Sequence, residues 1–126
     1  MDELEGLVVH GKEMDQKLVA EILSPYLQLD KDACNIRPLK GWRELKADLK
    51  ILLYLLARKA MVALDFGLEV EGAKASEVAR DTGVKQGTAN PALRWMFSDR
   101  ILEQTSDRRY FIPNHAIQTV KSMLSE

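Results

Sequence analysis

Between residues 82 and 98 the chain carries no acidic side chain, while Lys85, Gln86, Thr88, Asn90 and Arg94 fall within ten positions of one another. That mixture of types points to one chemistry. The amides of Gln86 and Asn90 can donate and accept together at an adenine edge, and Arg94 can make the equivalent forked contact with guanine. Lys85 and Thr88 suit phosphate oxygens, which position a protein on a duplex without reading its sequence. Arg108 and Arg109 offer two further cations. Taken singly, each is an ordinary solvated surface group. As a set, in a stretch without acids, they describe a local surface suited to a nucleic acid.

Catalytic arrangements are missing from the pattern. His10 and His115 stand alone, with no second His or Cys at metal-ligand spacing. Cys34 is the single cysteine, so an intramolecular disulfide is excluded; between Ala33 and Asn35 it has no neighbouring base to activate it. There is no glycine-rich phosphate loop, nucleophile motif or spaced carboxylate pair. No enzyme, metal site or cofactor is expected, and no small-molecule ligand can be identified.

The elements that must position these residues follow from periodicity. Met14, Leu18 and Ile22 recur every four residues, so an amphipathic helix is expected over about 13–29, ended or kinked by Pro25 near Ser24. Asp30–Trp42, with Pro38 and Gly41, reads as a connector holding a short strand at Asn35–Leu39. Glu44 to about Phe66 is rich in helix formers, without Pro or Gly. Leu45, Leu49, Leu52 and Leu56 line one face of it, and Ile51, Leu55 and Val62 another. Trp42 is expected as a core anchor where this helix begins. After Gly67–Gly72, Ser76 is read as the cap of a short helix stopping at Gly83. A second helix follows over about 86–98, with Ala89, Leu93 and Met96 inward, Pro91 near its start and Trp95 beside its solvent face. Ile101–Thr105 and Arg109–Ile112 are β-prone runs around Ser106-Asp107-Arg108, a hairpin signal. Asn114 is read as the cap of a last helix with Ile117, Val120 and Leu124 on one face.

Helix, a short turn with Gly83 and helix make a helix-turn-helix unit, and the hairpin after it supplies a wing. Over residues 44–126 the chain resembles the winged helix-turn-helix superfamily. Within it, Gly87-Thr88-Ala89-Asn90-Pro91-Ala92-Leu93 is similar to the Gly-Thr-x-x-Pro-x-Leu recognition helix of PadR-type transcriptional regulators. The resemblance implies a mainly α (α+β) fold, with residues 1–42 as an N-terminal helical extension and 43–126 as the winged domain. It implies a recognition helix in the major groove and the wing on the flanking backbone. The function expected is sequence-specific binding of double-stranded DNA in transcription regulation. The alternative is a winged helix used as a protein-interaction or assembly module, because fold alone does not imply DNA.

Length and charge bound this reading. At 126 residues one domain is expected, with a core that needs no cross-link. The net charge of −1 gives no global pull toward nucleic acid, so any contact must come from a local patch. Residues 1–30 carry seven acids against two bases, and residues 31–60 eight bases against three acids. Arg58 and Lys59 interrupt the most apolar stretch, which falls short of the roughly 18 residues a membrane helix needs. The acidic start does not resemble a secretion signal, so a cytoplasmic protein is expected. Finally, a long helix apolar on two faces needs a second cover, from residues 13–29, from the Ile117–Leu124 stripe or from another subunit, and a homodimer through residues 13–29 and 44–66 is expected.

Overall fold

The computed structural model describes residues 14–126; His10 and the remainder of 1–13 lie outside them. The fold is mainly α within an α+β arrangement. Asp15 caps α1 (Gln16–Leu23) by accepting the Leu18 N–H at 3.0 Å, and the helix ends where Pro25 forbids its continuation. It is therefore shorter than the helix expected over 13–29. Leu27–Asp30 (β1) instead runs extended and pairs antiparallel with Asn35–Pro38 (β2), the segment where a short strand is expected. Leu27 and Leu29 alternate with Gln28 and Asp30, a period of two that overrides the helical stripe upstream. In the connecting turn Asp30 accepts from the Ala33 N–H at 3.0 Å and from Arg37 at 2.8 Å. Those two contacts, the Ala33 N–H first, hold its carboxyl below the usual carboxylate range.

A 3-10 turn at Lys40–Glu44 buries Trp42 in its anchoring position and leads into α2 (Ala47–Ala63). Every residue from Ile51 to Met61 is buried. Such a helix is surrounded, and α1, α3, α4, α5 and both hairpins contribute to the enclosure. Both apolar faces thus pack against other elements of the same chain. The core is continuous from Val19 to Val120 and crosses residue 42 without a break.

Two cations are buried with this helix, and both have partners. Arg58, 7% exposed, donates from Nε to Glu71 O at 2.8 Å and from Nη2 to Val70 O at 3.1 Å and Gly72 O at 3.0 Å. Lys59 Nζ lies 2.9 Å from one Glu71 carboxylate oxygen and 3.1 Å from the other, and donates to Asn114 Oδ1 at 2.8 Å. The apolar helix therefore grips the strap at residues 70–72 through charged side chains. Tyr54, one turn before Arg58, donates its hydroxyl to Asp81 Oδ2 at 2.6 Å and so ties the next helix to the same centre.

That helix, α3 (Ala75–Thr82), starts earlier than the Ser76 cap expected. Lys74 holds the cap position, and Glu77 reaches back to accept the Lys74 N–H at 3.2 Å. A carboxylate at the third helical position thus satisfies the N–H of the cap residue, and its charge suits the helix start. Gly83 ends α3 with φ +78°, a conformation that suits glycine. After Val84 and Lys85 comes α4 (Gln86–Ser98), over the expected span, burying Ala89, Ala92, Leu93 and Met96. Pro91 stands in the second turn of α4, deeper than its expected place near the start. Thr88 and Ala89 N–H both already donate to Lys85 O at 2.9 Å, so the backbone donors there are engaged.

The second hairpin pairs β3 (Glu103–Gln104) with β4 (Tyr110–Phe111). Its strands are shorter than the β-prone runs, because Ile101 and Leu102 turn into the core. Ala73 adds a one-residue third strand: its N–H donates to Tyr110 O at 3.0 Å, and Tyr110 N–H returns to Ala73 O at 2.8 Å. Asn114 opens a 3-10 turn before the last helix, and its side-chain oxygen accepts a hydrogen bond from Lys59 Nζ. α5 (Ile117–Leu124) then buries Ile117 and Val120 and half-buries Leu124, the expected face.

Burial, and then donation to Asp81, hold the Tyr54 hydroxyl well above the ordinary phenol range. A group with a raised folded-state pKa contributes stability that is complete below its unfolded value, near pH 10, and is lost as pH rises beyond it. Tyr54→Phe is expected to cost about 1–3 kcal/mol at pH 7, by removing a bond to a charged, half-buried acceptor. Above pH 10 the gap between the two proteins should narrow. Denaturant unfolding of both at pH 7 and pH 11 checks this.

Candidate nucleic-acid interface

Gln86, Asn90 and Arg94 lie four residues apart on α4 and form one exposed stripe along it. Across from this stripe stands the β3–β4 hairpin, and the start of α3 closes the end between them. The resulting groove has a volume of about 470 Å³ and takes in Lys74, Ser76, Gln86, Asn90, Gln104 and Arg108. A second hollow of about 250 Å³ shares Asn90 and Tyr110 with it and extends the surface to Arg94. The fold therefore brings Gln86, Asn90, Arg94 and Arg108 onto one concave surface. Lys85 and Thr88 are exposed but stand outside its lining. Lys74, Ser76, Gln104 and Tyr110 join the lining unannounced by local sequence. The Ala73–Tyr110 bridge places the start of α3 beside the hairpin.

Gln86 Nε2 donates to Asn90 Oδ1 at 2.5 Å. That bond leaves Gln86 Oε1 as an acceptor and Asn90 Nδ2 as a donor, side by side on the helix surface. The two amides hold each other in a fixed relation and still offer the donor–acceptor pair that a base edge requires.

Arg108 and Arg109, adjacent in sequence, have opposite fates. Arg108 sits exposed at the hairpin tip with φ +65°, its N–H closing the turn on Thr105 O at 3.0 Å. Arg109 is turned inward. Its guanidinium meets Asp107 Oδ2 at 3.0 Å, Glu77 Oε1 at 2.9 Å and Gly72 O at 3.3 Å. Gly72 is needed there, because a Cβ would stand 2.9 Å from the Arg109 Cβ. The pairing expected of Arg109 with an outside backbone is thus replaced by a clamp between hairpin, strap and α3. Asp107 is held below the usual carboxylate range, chiefly by the Thr105 hydroxyl and then by Arg109.

The clamp shapes the field of the groove. Glu77 and Asp107 are the two acids at its edge, and Arg109 engages both. Lys74, Lys85, Arg94 and Arg108 have no carboxylate partner among the described residues. At the groove, Lys74, Arg94, Arg108 and Arg109 against two acids leave a local surplus of two positive charges on a chain whose total is −1. Trp95, next to Arg94 on α4, is 39% exposed; Phe97, 44% exposed, is braced edge-on against Tyr110 of the lining at 6.3 Å.

Among the described residues, no group of three His, Cys, Asp or Glu is placed to hold a metal ion, and no helix is long and apolar enough to cross a membrane. His115 lies exposed, 3.7 Å from Glu103, and Cys34 sits in the turn of the first hairpin with φ +51°. No family model, curated protein or solved structure matches this chain.

Arg109→Ala removes two partly exposed ion pairs at once, each of modest strength in solvent. The hairpin should loosen while the core stays folded. Amide exchange at Thr105 and Tyr110 is expected to quicken by roughly tenfold, with the amides of α2 unchanged. Glu77→Gln, which keeps an acceptor, should have a smaller effect at the same positions.

Proposed function

We propose that the chain is a winged helix-turn-helix protein, similar to PadR-type regulators in its recognition helix, that binds double-stranded DNA and regulates transcription in the cytoplasm. In this reading α4 enters the major groove, with Asn90, Gln86 and Arg94 toward base edges. Arg108 on the wing and Lys74 at the start of α3 reach the flanking phosphates. The observation that carries it is the amide-and-arginine stripe on α4 facing Arg108 across a groove whose two acids are already engaged by Arg109. A surplus of positive charge then meets the duplex, even though the whole chain is nearly neutral. The second reading, a protein-interaction module, is favoured by Trp95, a large aromatic residue 39% exposed and adjacent to Arg94 in α4.

Binding should fall steeply with salt, since each base that meets a phosphate releases condensed counterions. A handful of contacts gives a log–log slope of about −3 to −6. Fluorescence anisotropy with mixed-sequence duplexes at low salt measures it; no binding at tens of micromolar protein would transfer the site to the protein-interaction reading. Arg94→Ala or Asn90→Ala should cost about 1–3 kcal/mol at one position of the preferred sequence and relax the preference there. Arg108→Ala should weaken all sequences alike and flatten the slope by about one. Arg109→Ala should weaken binding with the slope unchanged, because it acts through the position of the wing.

Assembly is a separate question. Two half-sites would call for a symmetric dimer, but the faces of α1 and α2 suited to it already pack against each other. A monomer on a single half-site is the form proposed. Sedimentation equilibrium at micromolar concentration should give 14.3 kDa. A species of twice that mass would restore the homodimer through residues 13–29 and 44–66.

A further inference from the structure

Asn90 is the one residue of α4 that lines both hollows of the candidate interface, with Gln86 one turn before it and Arg94 one turn after. The amide of an exposed asparagine turns over a broad, roughly two-fold range, so its oxygen and nitrogen readily exchange places. Here they do not. Gln86 Nε2 donates to Asn90 Oδ1, and reversing the Asn90 amide would set its own N–H groups against that donor. The bond takes one of the two lone pairs on Oδ1. The second lone pair and the Nδ2 hydrogens make no other hydrogen bond among the described residues. One turn of helix therefore presents an acceptor and a donor in a fixed order.

We infer that Asn90 reads a single adenine in the major groove, and that Gln86 is the positioning residue that fixes the reading. The inference rests on the proposed binding of DNA through α4. Adenine offers an N6 amino donor and an N7 acceptor, which match Oδ1 and Nδ2 in that order. Guanine places O6 where Oδ1 requires a donor, so two acceptors meet; thymine does the same with O4, and cytosine offers its N4 donor without a neighbouring acceptor. Restricting the amide before the duplex arrives lowers the ordering cost of the contact. Of the two amides, Asn90 is the reader because Gln86 borders only one of the hollows and carries a further rotatable bond.

The test selects a preferred duplex from a random-sequence pool and replaces its adenines one at a time by 7-deazaadenine, which lacks the N7 acceptor and still pairs with thymine. The readout is the ratio of the two dissociation constants, which cancels any general change in affinity from an altered charge. One adenine should give the unaltered chain a ratio of about ten, within the range of a bidentate base contact. Asn90→Ala should bring the ratio at that adenine to about one. Gln86→Glu, which can only accept from Asn90 and so reverses its amide, should do the same, whereas Gln86→Lys, which can only donate, should keep it at about ten. Both substitutions place a good helix former at an exposed position, so the fold is retained. A ratio near unity at every adenine, or a selected duplex lacking adenine, would overturn the inference while leaving DNA binding in place. A ratio kept by Gln86→Glu or lost in Gln86→Lys would end the positioning role of Gln86. Absence of any duplex binding by the unaltered chain would overturn the DNA reading itself, and this inference with it.

Discussion

The structure hangs on the burial of Arg58 in an otherwise apolar helix. Taking a guanidinium out of water costs several kcal/mol unless its donors find partners. Here they find the carbonyls of Val70, Glu71 and Gly72, three successive backbone acceptors that would otherwise need water or a strand. The cost of burial and the cost of an unpaired strap offset each other, and neither solution works alone. Because the strap is held at Gly72, the next residue, Ala73, arrives beside Tyr110, and Lys74 can begin α3. One side chain in α2 thus fixes the relative position of two helices and a hairpin.

Tyr54 extends that centre toward α3. Its hydroxyl stands between Asp81, to which it donates, and Arg58 Nη1 at 3.4 Å. Burial works against the Asp81 carboxylate, but the bonds from Arg80 and Tyr54 outweigh it, and the group stays below the usual carboxylate range. A carboxylate, a phenol and a guanidinium in a row place opposite charges at the two ends of a mostly buried path. This arrangement satisfies the polar groups and also sets the register of α3 on α2.

Arg109 plays the corresponding role at the surface. It links Glu77 of α3 to Asp107 of the hairpin and, in doing so, pairs both acids at the groove edge with a cation. Position and electrostatics are then set by the same contact. The cations left outward belong to three different elements, Lys74 at the head of α3, Arg94 on α4 and Arg108 on the turn, and act together because the clamp holds those elements at one groove.

Much of this was legible in the residues themselves. The span of α4, its inward Ala89, Leu93 and Met96, the stop at Gly83 and the break at Pro25 follow from local rules of periodicity and backbone geometry, which need only near neighbours. So does the cluster Gln86, Asn90 and Arg94, since four-residue spacing on a helix defines one face. The sequence did not distinguish Arg108 from Arg109, place Asn114 beside Lys59 or show that α1 covers α2. It also read residues 27–29 as helix where they pair as a strand. Those outcomes depend on contacts between residues 7 to 55 positions apart, where a partner's distance matters and its spacing in the chain does not. Helical period and capping are short-range and written in order; which charge is buried, which is bare and which face is covered are decided only when the elements meet.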